Sequence, residues 1–247
     1  MSGDLVSLRM VLVGAAADAE ALWRDAAGRA SVPIDFESGT ASAAKVAISR
    51  GGVDFCVADA ALDGADTKSL CKAARAKKPA PLVFASAARG AALPDTVDGV
   101  LPVPGNAAEA RKFVEICIRA KMPTPVLVAS DSDSLRGVVR KILGACRFQL
   151  DVHEAADSAD TLESLRKTGI GLVFLDSNMP GLNGADILQG IKRARRGTAV
   201  VVMSPAPGRG AAASPHLSEA LALLKKPFYP ADVDAVLKRH FGLAEPK

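Results

Sequence analysis

The sequence predicts an α/β fold in two tandem copies, each a parallel β-sheet with helices on both faces. Three observations predict it. Short apolar runs of strand length recur along the chain. Segments with apolar residues at helical spacing lie between them. The whole pattern then occurs a second time.

Each copy opens on a strand, Val11-Leu12-Val13-Gly14 in the first half and Val126-Leu127-Val128-Ala129 in the second. Val53 to Asp59 parallels Ile170 to Asp176, and each of these apolar runs ends on a carboxylate. Pro81 to Ser86 parallels Ala199 to Ser204, and Val100 to Pro104 parallels Leu223 to Pro227. A repeat of this length means duplicated domains, not a solenoid. Between the strands, Leu135, Val138, Val139, Ile142 and Leu143 mark one helical face, and Ile187, Leu188 and Ile191 mark another. Val233, Val236, Leu237 and Phe241 mark the last helix. The join is Lys121-Met122-Pro123-Thr124-Pro125, which two prolines keep extended and stiff. The domains are therefore set at 1–121 and 124–247.

Apolar residues make up 49% of the 247, enough for packed cores and unlike a disordered chain. Aromatics are only 4%, so the cores are built of Ala, Val and Leu, and base stacking on nucleic acid is disfavoured. Net charge is +4. The basic run Lys192 to Arg196 reads as a solvated helix end before it reads as a DNA contact. Cys56, Cys71, Cys117 and Cys146 have no ligand spacing and read as buried, reduced thiols. His153, His216 and His240 read as surface or packing residues. No apolar run is long enough to span a bilayer and no leader pattern opens the chain, so a cytoplasmic protein without a membrane or DNA partner is expected.

The second half carries the chemistry. Asp176 ends a strand-type apolar run and is followed at once by turn residues: Asn178, Pro180, Gly181, Asn183 and Gly184. That places a carboxylate at the carboxyl end of a buried strand, where open α/β sheets hold their ligands. Ser130-Asp131-Ser132-Asp133 ends the first strand of this half, so Asp131 can approach Asp176. Two close carboxylates repel unless a cation neutralises them, and an all-oxygen site with few protein ligands suits Mg²⁺. Lys226 ends the last strand and supplies an ammonium; Ser204 ends the fourth and supplies a hydroxyl. Such a set around one nucleophilic Asp is suited to phosphoryl transfer onto that Asp.

With these pieces assembled, the second half resembles a response-regulator receiver domain of bacterial two-component signalling over about residues 124–243. The resemblance rests on Asp176 with Met179-Pro180 and Gly184, on Lys226-Pro227-Phe228, on the acidic strand end followed by Arg136, and on Glu154-Ala155-Ala156-Asp157. It implies two flavodoxin-like (βα)5 domains with five-stranded parallel sheets. It implies that Asp176 accepts a phosphoryl group from a phosphohistidine on a histidine kinase or histidine phosphotransfer protein. Asp131 and Asp176 would bind Mg²⁺ through their side chains and Asn178 through its backbone carbonyl. Lys226 and Ser204 would contact phosphoryl oxygens, and the Lys226–Pro227 bond would be cis.

Four departures from the family pattern stand out. Ser130 occupies the first position of the usual acidic pair. Pro205 follows Ser204, at a position that normally offers a backbone N–H, and proline has none. Leu223 stands in place of the family's switch aromatic. Ala206, Pro207, Gly208 and Gly210 make a poor start for the fourth helix. The alternative role for Asp131 is a helix N-cap, and Asp133 reads as a cap or surface residue.

The first half resembles a degenerate receiver. Asp59 keeps the acceptor position, but Ala15 and Ala16 replace the acidic pair and Val103 replaces the lysine. Ser86 keeps the hydroxyl position. Gly14 before Ala15 reads as a strand-to-helix turn, because the further glycines of a nucleotide loop are missing. Asp59 is therefore expected to stay unphosphorylated, in a scaffold or docking domain.

The resulting expectation is a response regulator without an output domain, not an enzyme, that signals to a downstream protein and forms a homodimer if the last helices pair. The alternative is a phosphate-independent scaffold of two interaction modules. A haloacid-dehalogenase-like phosphatase would carry a second Asp two residues after its nucleophile, on the first strand. Here that position is Asn178, on the third.

Overall fold

The computed structural model describes residues 7–88, 91, 93–167, 169–179, 190–191, 197–205 and 220–245. The runs Pro180 to Gln189, Lys192 to Arg196 and Ala206 to Glu219 lie outside the described residues. So do the readings placed there: the Pro180 turn, Ile187 and Leu188, the basic run, the start of the fourth helix and His216.

Two compact units emerge, Met1–Met122 together with Phe241–Lys247, and Pro123–His240. In the first unit the order of elements is β1 (Leu8–Val13), α1 (Ala17–Gly28), β2 (Ile34–Gly39), α2 (Ala41–Arg50), β3 (Phe55–Ala58), α3 (Gly64–Arg75), β4 (Leu82–Ser86), β5 (Gly99–Leu101) and α4 (Ala107–Lys121). In the second it is β6 (Thr124–Ala129), α5 (Asp133–Ala145), β7 (Leu150–Ala155), α6 (Ser158–Lys167), β8 (Leu172–Asp176), β9 (Ala199–Ser204), β10 (Ala222–Lys225) and α7 (Pro230–Phe241).

Each sheet is parallel and five-stranded, ordered β2-β1-β3-β4-β5 in the first unit and β7-β6-β8-β9-β10 in the second. This is the doubly wound order whose switch point lies between the first and third strands. The expected fold class is thus present in both units. In β8 all five residues are buried, which is why the run is apolar throughout and not alternating. Helix faces follow the same logic. Trp23, Ala26 and Ala27 bury one stripe of α1, and the Trp23 ring lies 6.4 Å from that of Phe113 on α4.

Three features differ from the sequence reading. Lys121 ends α4 and Thr124 begins β6, so the join is only Met122 and Pro123. Among the described residues, no helix lies between β4 and β5. The third difference concerns the end of the chain, expected in the second domain up to residue 247. Val100 and Ala244 instead form an antiparallel bridge with N–H to carbonyl bonds of 3.0 and 2.9 Å, which caps the edge of β5 in the first unit. Leu243 packs over Gly99, where an added Cβ would stand 2.8 Å from a Leu243 methyl. No described helix is long and apolar enough to cross a membrane. Cys56, Cys71 and Cys117 are buried free thiols, Cys146 is a partly buried one, and burial pushes the Cys56 thiol up to about 12.

Candidate functional site

The site forms at the carboxyl ends of β6, β8 and β9. In the β6–β8 register Ala129 lies beside Leu175, which brings the residues following each strand to one crevice. Asp176 is the last residue of β8 and its side chain is 4% exposed. A carboxylate so enclosed must be paired or hydrogen-bonded. It is both. Lys226 Nζ donates to its Oδ1 at 2.7 Å and the Asn178 N–H donates to the same oxygen at 3.0 Å. On the other oxygen, Oδ2 accepts the Ser130 hydroxyl at 2.8 Å.

Backbone contacts hold these donors in place. The Lys226 N–H bonds to the Ser204 carbonyl at 2.7 Å, which links the lysine to the end of β9. Ser204 is buried at that strand end. The Lys226–Pro227 bond is cis. Ser130 is fully buried and held twice, with its Oγ accepting from the Ser132 N–H at 3.2 Å and its carbonyl accepting from Arg136 Nη1 at 2.6 Å. Arg136 also pairs with Glu154 at the end of β7 and with Asp133.

Burial alone would raise the Asp176 pKa. The bonds from Lys226, Asn178 and Ser130, with the Lys226 charge, outweigh it and hold the carboxyl below the usual carboxylate range. The group is therefore a carboxylate at neutral pH, with an ammonium beside it.

Asp131 is exposed and, among the described residues, makes no hydrogen bond or ion pair. It does not cap α5: Ser132 does, accepting the Leu135 N–H. Asp133 is the first residue of that helix and pairs with Arg136, in keeping with its surface reading. Asp131, Asp176 and the Asn178 carbonyl would offer oxygen donors only, the kind of set Mg²⁺ accepts, because that ion keeps several waters and needs only one or two carboxylates. No group of three or more His, Cys, Asp or Glu among the described residues could hold a metal.

Ser130 and Arg136 are the contributors whose roles the sequence reading missed. Ser130 entered it only as a lost acid. A hydroxyl one residue past the first strand, on the side facing the acceptor, was the available signal. Arg136 stands in the sequence only as the residue that follows the acidic strand end, and the geometry shows that it holds the Ser130 carbonyl. Leu223 on β10 is 44% exposed and Pro205 is exposed, as side chains with no part in the hydrogen-bonded cluster.

In the first unit the corresponding positions form no ammonium–carboxylate pair among the described residues. Asp59 Oδ1 accepts the Ala61 N–H, in a turn of its own. Gly14 has φ +78, and a Cβ there would stand 3.1 Å from Leu62, whose side chain leans on the strand end. Val103, at the lysine position, is exposed, and Ser86 is buried with its hydroxyl near the Pro102 carbonyl.

Comparison with known proteins bears on the fold and on the second half of the chain. Residues 126–238 match the family model of the response regulator receiver domain. The chain is 32% identical over 92 residues to a protein-glutamate methylesterase/protein-glutamine glutaminase of Rhizobium etli (strain ATCC 51251 / DSM 11541 / JCM 21823 / NBRC 15573 / CFN 42), covering 37% of this chain and 26% of that protein. It is 34% identical over 84 residues to methylesterase/glutaminase 5 of Myxococcus xanthus (strain DK1622), covering 34% and 24%. The matches thus span about a quarter of these relatives' length. The solved structure of a probable two-component system response regulator/GGDEF domain protein aligns over 95% of this chain and 98% of that one, with a TM-score of 0.55 and 20% identity. The second unit is a response-regulator receiver domain. The first repeats its strand order outside the matched range.

Proposed function

We propose that the protein is a response regulator in which Asp176 accepts a phosphoryl group from a phosphohistidine on a histidine kinase or phosphotransfer protein. The observation that carries this reading is the buried Asp176 carboxylate, kept ionised with Lys226 Nζ 2.7 Å away. A carboxylate oxygen of Asp176 attacks phosphorus. The P–N bond of the donor breaks, and the departing imidazole nitrogen keeps the electron pair and takes up a proton. Lys226 balances the negative charge that builds on the phosphoryl oxygens, and Ser204 supplies a hydroxyl to them. Mg²⁺, held by Asp131, Asp176 and the Asn178 carbonyl, would neutralise and orient the same oxygens. The chemistry ends with gain and loss of phosphate at Asp176, and the output is contact with a downstream protein in the cytoplasm.

Incubation with acetyl phosphate and Mg²⁺ followed by intact-protein mass measurement tests this. Wild type and Asp59→Asn gain one phosphoryl group, and Asp176→Asn gains none. A gain that survives in Asp176→Asn, or its absence from wild type, overturns the reading. The second reading, a phosphate-independent scaffold, is favoured by Pro205, which withholds an N–H from the site. It gains if wild type stays unmodified while a downstream partner still binds.

A further inference from the structure

We propose that Ser130 is a positioning residue that withholds Oδ2 of Asp176 from cations, and so sets how weakly the crevice takes up a divalent metal. The inference rests on the phosphoacceptor reading for its purpose, though not for its test. Its basis is the way three donors divide the carboxylate. Lys226 Nζ and the Asn178 N–H share Oδ1, and the Ser130 hydroxyl faces Oδ2 at 2.8 Å. A serine hydroxyl has one proton and two lone pairs. Here the Ser132 N–H, at 3.2 Å, takes one lone pair and Asp176 takes the proton. Arg136, bonded to the Ser130 carbonyl at 2.6 Å, fixes the backbone from which the hydroxyl points. The residue is fully buried, so bulk water does not compete for that proton.

A cation approaching Oδ2 meets the positive end of the hydroxyl dipole. To bind, it must turn the proton away, and the Ser132 N–H already holds one of the lone pairs that would replace it. The resting crevice is therefore neutralised from within, by the Lys226 ammonium and a hydroxyl proton, and metal entry requires an exchange of partners. This goes beyond the loss of one acid at position 130. If Ser130 were only a missing carboxylate, removing its hydroxyl would change nothing.

Calorimetric titration of the full chain with MgCl₂ separates the two cases. Ser130→Ala is expected to bind Mg²⁺ roughly ten- to hundredfold more tightly than wild type, because a hydrogen bond to a charged group no longer opposes the ion. Ser130→Asp binds more tightly still, and Asp131→Ala weakens binding in every background. Ser130→Cys, which keeps the volume with a poorer donor, falls between wild type and Ala and carries the test if Ala does not fold. Equal or weaker binding by both Ala and Cys overturns the proposal, as does an absence of binding in all variants. Tighter binding by Ala with no mass gain from acetyl phosphate leaves this inference standing and removes the phosphoacceptor. A mass gain on Asp176 without tighter binding removes this inference alone.

Discussion

Lys226 Nζ and Asp176 Oδ1 lie 2.7 Å apart across the mouth of the crevice, an ammonium 22% exposed against a carboxylate 4% exposed. Removing one partner strands the other. Lys226→Ala should destabilise the second unit by about 1–3 kcal/mol, less than for a fully buried pair because the lysine still reaches water. The Asp176 carboxyl pKa, relieved of its largest stabiliser, should rise. Denaturant unfolding and carboxyl titration by NMR measure both, and an unchanged Asp176 pKa would refute the pairing.

The same carboxyl gives a pH dependence of definite sign. Its folded pKa lies below the unfolded value of about 3.9. The stability it contributes is complete above that value and is lost as the pH falls through the folded pKa. Wild type should therefore lose stability more steeply than Asp176→Asn below about pH 4. Parallel urea unfolding curves from pH 2.5 to 6 provide the comparison, and equal slopes would count against the assignment.

Arg136 joins the Ser130 carbonyl to Glu154, with a side chain only 13% exposed. Arg136→Ala should cost about 1–2 kcal/mol and loosen the Ser130 backbone. Arg136→Lys should recover little, since one ammonium cannot reproduce the fork that spans both acceptors. Unfolding free energies, with amide exchange around Ser130, are the measurements. Full rescue by lysine would show that charge alone matters.

Gly99 has no room for a side chain beneath Leu243. Gly99→Ala should destabilise the first unit by about 1–3 kcal/mol through overpacking. Leu243→Ala in the same molecule should return part of that loss, and a double-mutant cycle reads the coupling directly. Strict additivity would mean that the contact carries no energy.

How much of this was legible in the residues follows from what each contact depends on. The strands announced themselves as β-branched and leucine-rich runs, because both faces of a covered parallel sheet are apolar. Asp176, Lys226 and Ser204 were legible because each closes such a run, and a parallel sheet gathers strand ends on one side. The Ser130 to Asp176 bond was not, since it requires the β6–β8 register and the turn of one hydroxyl. Nor was the role of Ser132 as the α5 cap, because four consecutive residues there, Ser130 to Asp133, can each cap a helix by type. The return of Leu243 and Ala244 to β5 left no trace in the pattern, because a single bridge has no period to detect.

That return has a practical consequence. Excising the first unit after Lys121 would strip Val100 of both backbone partners and leave Gly99 without its apolar cover. A bare strand margin of this kind recruits whatever extended chain it meets, including another copy. Fragment studies of that unit should therefore supply residues 241–245 as a peptide or graft them back. Otherwise self-association of the fragment will be mistaken for a property of the intact protein.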